Sequence, residues 1–195
     1  MRKIKAATLA LVALFLMNSC IIISLSPCYT EKDVVYKQSF EGTWHDSNDA
    51  LWKITPRQTA KPHTSYKLEL TENGITSVFE LHIAELENHY FLDFFPDVQE
   101  NNLTEDIFLS LHRLPVHSFA RMKFADKKII LNLMNEDWFK KQIESGQNII
   151  PHREIEGLQI LTATTEQIQK FLTSIAKNDK AFAENEIVLS KTIEE

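Results

Sequence analysis

Strict alternation of apolar and polar positions governs the middle of the chain. Residues 66–71 place Tyr66, Leu68 and Leu70 on one face and Lys67, Glu69 and Thr71 on the other, the period-two pattern of a half-buried strand. Asn73-Gly74 follows at once, and because both residues accept the positive φ of a type I′ turn, the dipeptide predicts a hairpin. The returning strand covers 76–86, with Phe79, Leu81 and Ile83 on one face and Glu80 and His82 on the other. A second hairpin at Glu87-Asn88 leads into 90–95, which is apolar on both faces, as a strand covered on both sides would be. Upstream, 40–44 and 51–55 read as strands separated by a polar turn, with 56–62 a loop. Downstream, 107–114, 116–124 and 128–134 form a meander turned at Pro115 and at Ala125-Asp126-Lys127.

The period changes in the last third. Asn135 is placed to cap a helix over 136–144, with acids in the first turn where they suit the macrodipole, Trp138, Phe139 and Ile143 on one face, and Gly146 beyond its end. Thr164 with Gln167 forms a capping box for a second helix, in which Ile168, Phe171, Leu172 and Ile175 recur at helical spacing. Strands are expected at 157–162 and 186–191 around it. The expected fold is mainly β (α+β): an antiparallel up-and-down meander forming a barrel or a strongly bent sheet, with two short helices in the C-terminal third. Closure is favoured because so many short strands must remove their edges from water.

The first twenty residues belong to a different pattern. Arg2, Lys3 and Lys5 precede a charge-free apolar stretch from Ala6 to Met17, and Asn18-Ser19-Cys20 closes it, the layout of a secretory signal. Ser19-Cys20 resembles the end of a bacterial lipobox, which implies cleavage before Cys20 and lipidation, by palmitate among other acyl chains, of its thiol. The expected division is a lipoprotein signal peptide over 1–19, a tether or linker over 20–39, and a single β-rich domain over 40–195. A rival is an uncut signal anchor, since apolar character continues through Ile21, Ile22, Ile23 and Leu25. Both place the domain outside the cytoplasm, in the cell envelope on a membrane, which is the outer membrane in a Gram-negative cell.

Cleavage before Cys20 leaves 176 of the 195 residues, with 18 basic against 27 acidic side chains, a formal charge of −9. That balance excludes nucleic acid and adsorption to anionic head groups, both of which need clustered Lys and Arg. Cys28 is then a single thiol, expected as a spare group in the linker.

Two resemblances add to this. Gly42-Thr43-Trp44 resembles the G-x-W signature of the lipocalins, which implies a barrel whose tryptophan plugs one end and an open cup for a small apolar ligand. A broader pattern, from Leu114-Pro115-Val116-His117-Ser118-Phe119 through Trp138 to Leu161-Thr162-Ala163-Thr164 and Ala181-Phe182, looks like a family of uncharacterised bacterial lipoproteins. It implies the envelope address and one domain, and carries no activity.

Candidate chemistry is sparse. His112 and His117, on strands turned at Pro115, are the best-placed histidine pair, with Asp93 a third group that neighbouring strands bring within reach. Zinc needs three or four ligands at recognisable spacing, and neither His-x-His nor H-E-x-x-H occurs, so no metal and no cofactor is expected. Ser118 follows His117, but neighbours on a strand point to opposite faces and make no nucleophile–base pair. Asp93 and Asp97 read as solvated acids, and His117 as sharing a solvated face with Arg121 and Lys123. The expected function is a non-enzymatic, membrane-tethered module binding a small apolar ligand or a partner protein; the alternative is an envelope hydrolase near His112/His117. The barrel interior discriminates: packing by Phe79, Leu81, Phe94, Leu109 and Leu131 favours a structural or interaction role, an open cup favours a ligand, and a cleft gathering His112, His117 or Asp93 with shifted pKa values favours an enzyme.

Overall fold

The computed structural model describes residues 21–58, 63–98, 100, 114–147, 150–182 and 186–191. In chain order the elements are β1 (Ile23–Ser24), β2 (Gly42–His45), β3 (Leu51–Pro56), β4 (Tyr66–Glu72), β5 (Ile75–Leu86), β6 (His89–Pro96), β7 (His117–Ala125), β8 (Lys128–Leu133), α1 (Glu136–Glu144), β9 (His152–Ile155), β10 (Leu158–Leu161), α2 (Thr165–Ile175) and β11 (Glu186–Lys191). The eight strands β2 to β8 and β11 close into an antiparallel barrel, since β6 pairs with β7 as well as with β5. The helices interrupt the meander between β8 and β11. The strand expected over 107–114 lies, except for Leu114, outside the described residues.

Alternation sorts the side chains as it must. Trp52, Ile54, Tyr66, Leu68, Leu81, Ile83, Leu92, Met122, Ile129, Leu131 and Leu189 are buried together inside the barrel. Lys53 and Glu69, register partners across β3 and β4, point outward and pair at 2.9 Å.

One end is closed by Trp44. Its indole N–H donates to the Phe40 carbonyl (3.0 Å), and the Lys191 ammonium lies 5.1 Å from the ring centroid. Gly42 sits at φ +124°, and a Cβ there would lie 3.1 Å from Lys191 Cε, so glycine both supplies the turn and leaves room for that lysine.

A second core lies outside the barrel. Phe91 of β6, Phe119 of β7 and Ala84 of β5 face outward and meet Phe139 of α1 and Ile168, Phe171, Leu172 and Ile175 of α2. This explains why β6 is apolar on both faces. Asn135 caps α1 by accepting from the Trp138 N–H (2.6 Å), and Thr164 and Gln167 form the expected capping box of α2.

The N-terminal segment corrects the expected boundary at Phe40. Residues 21–39 are part of the fold: Ile22 is buried, β1 pairs antiparallel with β7 and parallel with β10, Val34 bridges to Ala84, and Cys28 is wholly buried. Gln169 of α2 pins the segment, donating to the Cys28 carbonyl (3.1 Å) and to Asp33 Oδ2 (2.8 Å). Ile23 and Ser24 pair in the sheet, and the Leu25 N–H donates to the Leu161 carbonyl at 3.0 Å. Among the described residues no helix is long and apolar enough to cross a membrane.

Candidate functional site

The outer face of β5–β7 carries a buried polar cluster. His82 and Asp93 are register partners on β5 and β6, and His117 stands at the start of β7. The N-terminal segment lies over them and contributes Cys28 and Tyr29. Asp93 is fully buried, which a carboxylate tolerates only when its oxygens are engaged. Oδ1 lies 2.7 Å from His117 Nδ1, and Oδ2 accepts the Cys28 backbone N–H at 2.9 Å. The His117 ring packs against Phe95, centroids 4.5 Å apart.

His82 completes the cluster. Tyr29 stacks on its imidazole at 4.1 Å and 20°, Glu80 Oε1 lies 3.7 Å from Nε2, and buried Nδ1 has no hydrogen-bond partner among the described residues. Burial holds the His82 pKa below its ordinary value, against the opposing pull of Glu80 and Asp93. Burial likewise pushes the Tyr29 hydroxyl and the Cys28 thiol up, with the Asp93 charge adding to both. A thiol raised in this way is a poor nucleophile.

Asp93 and His117 of the sequence-derived set thus meet, while His112 lies outside the described residues. The solvated reading of these groups is corrected: Asp93 is buried, the His117 side chain is only 12% exposed, and Arg121 is enclosed by the Ala176 carbonyl, Asp179 and the Phe182 ring. Asp97 is also buried and pairs with Arg57 Nη1 at 2.7 Å. Cys28 and His82 were missed as members of the cluster, because Cys28 reaches Asp93 across 65 residues of sequence. His82 was marked only as an outward position opposite Leu81 and Ile83, the one local signal available.

Chemically the cluster is an oriented imidazole–carboxylate pair, and among the described residues no hydroxyl or activated thiol is hydrogen-bonded to it as a nucleophile. Ser118 points to the opposite face, in register with Phe94 and Ile23. Among the described residues no group of three or more His, Cys, Asp and Glu side chains is placed to hold a metal.

The interior offers less than the lipocalin resemblance implied. Leu81 and Leu131 are fully buried, Phe79 and Phe94 are half-buried at the end away from Trp44, and Leu109 lies outside the described residues. Two clefts are lined by described residues. One of about 290 Å³ opens at the Trp44 end of the barrel, lined by the interior-facing Trp44, Tyr90, Phe124 and Ile129 together with Lys37; another of about 380 Å³ lies on the exterior between α2 and the β5–β6 turn. No protein-family model, curated protein or solved structure matches the chain, so the functional reading rests on this geometry and on the sequence.

Proposed function

We propose that the protein is a lipid-anchored envelope lipoprotein, attached to its membrane through Cys20, whose barrel is a non-enzymatic scaffold acting through its surface on a partner protein. The observation that carries this reading is the packed interior. Each fully buried Leu, Ile or Phe contributes about 1.5–3 kcal/mol, and clearing several of them for an apolar ligand would cost more than a small ligand returns. The anchor reading rests on the sequence, where Ser19-Cys20 closes a charge-free apolar stretch.

The hydrolase alternative has one observation in its favour, the 2.7 Å Asp93–His117 contact. Against it stand a buried thiol with a raised pKa and a serine on the wrong face. Cys20→Ala tests the anchoring directly. The variant is expected to lose acylation and to change its processing or membrane retention on fractionation; an alanine variant that stays fully membrane-bound at its unprocessed mass would contradict the lipoprotein reading.

A further inference from the structure

The strands β1, β10 and β9 extend the barrel wall beyond β7, and among the described residues the helices cover one of their two faces. Ile22 and Leu161 turn into the core beneath α1 and α2. On the other face the register aligns Phe94, Ser118, Ile23, Ile160 and Arg153 in one row across β6, β7, β1, β10 and β9, with Leu158 beside Ile155 in the next. Ile23, Leu158 and Ile160 are half-buried, while Ile21, Leu25 and Ile155 are 43%, 48% and 54% exposed. Leu25 stays in the ladder, its N–H donating to the Leu161 carbonyl at 3.0 Å. The result is a sheet face of six aliphatic side chains, three exposed and three half-buried, with Arg153 at its margin.

What covers this face follows from where the chain enters it. Cys20, the proposed attachment point, directly precedes Ile21 in the sequence. Consecutive Cα atoms are about 3.8 Å apart, so a domain anchored at Cys20 has almost no tether, and the surface around Ile21 is held against the lipid. We propose that this face, Ile21, Ile23, Leu25, Ile155, Leu158 and Ile160, rests on the phospholipid bilayer and fixes the orientation of the barrel. The inference depends on the anchoring proposed above. The contact is apolar, since the acidic chain gains nothing from anionic head groups, so neutral lipid is sufficient.

Nitroxide labelling of the full chain in phosphatidylcholine vesicles tests it. Ile155→Cys and Leu25→Cys report the face; Lys127→Cys, in the exposed turn after β7, lies roughly 23 Å along that strand from the Ser118 row and reports solvent. Cys28 is buried and Cys20 acylated, so label goes to the introduced thiol. Flotation comes first, and a chain that does not float with vesicles overturns the anchoring and this inference with it. For a chain that floats, the labels at 155 and 25 are expected to be several-fold more accessible to oxygen than to a water-soluble nickel chelate, with the reverse at 127. Nickel access at 155 equal to that at 127, or shielding from both reagents by a protein partner or a second copy, overturns the bilayer contact and leaves the anchoring standing.

Discussion

His82 is the residue whose environment makes the clearest demand on the protein. Its imidazole is sandwiched under Tyr29 and faces Glu80, Asp93, His117 and Arg57, with burial the largest influence on its pKa and Nδ1 unpartnered among the described residues. The folded-state pKa lies below the ordinary value of 6.5, so the unfolded chain takes up its proton first as pH falls. Stability from this group is therefore fully present above pH 6.5 and declines as pH drops from there toward the folded-state value. Urea midpoints measured between pH 7.5 and pH 5.5 should fall, and His82→Gln should flatten that fall; equal slopes for both proteins would show that His82 does not titrate as described. The sequence paired His117 with His112 and added Asp93 as a third group on a neighbouring strand; the direct β6–β7 pairing that joins Asp93 to His117 was not legible, because a further strand was expected over 107–114. Nor was their burial, because the cover comes from Cys28 and Tyr29, whose partners are remote in sequence.

At the level of elements, local signals were sufficient wherever an element's partners are its neighbours. The Asn73-Gly74 turn, both helix caps and the β7–β8 hairpin fall where alternation and capping chemistry put them. β9 was not legible: His152-Arg153-Glu154-Ile155 has no apolar alternation, and its clue was the Glu156-Gly157 turn, where both residues adopt positive φ. β1 was hidden because two residues pair with strands far along the chain, within a stretch whose apolar character continues that of Ala6 to Met17. The docking of α2 is the energetic test at this scale. Phe171 is 6% exposed and packs edge-on to Phe139 at 6.1 Å, so Phe171→Ala should lose about 3–5 kcal/mol. Lys170→Ala should stay within about 0.5 kcal/mol. Equal denaturation midpoints for the two variants would show that α2 does not cover the barrel.

For the molecule as a whole, a barrel with a packed interior carries a second core under two helices, and the N-terminal segment straps the cluster around Asp93. Alternation was sufficient to read a closed sheet, because short antiparallel strands have few other ways to remove their edges from water. It did not reveal that residues 21–39 belong to the fold, since Pro27 and the charges at 31–33 have the composition of a linker while their contacts are long-range. The central claim is that the domain hangs from Cys20 and keeps its barrel filled with its own side chains. Mass spectrometry of the protein extracted from its native membrane reads both parts together. The account predicts a chain that starts at an acylated Cys20 and carries no stoichiometric apolar ligand; a chain retaining Met1 without acylation, or one that co-purifies with a ligand bound inside the barrel, would contradict it.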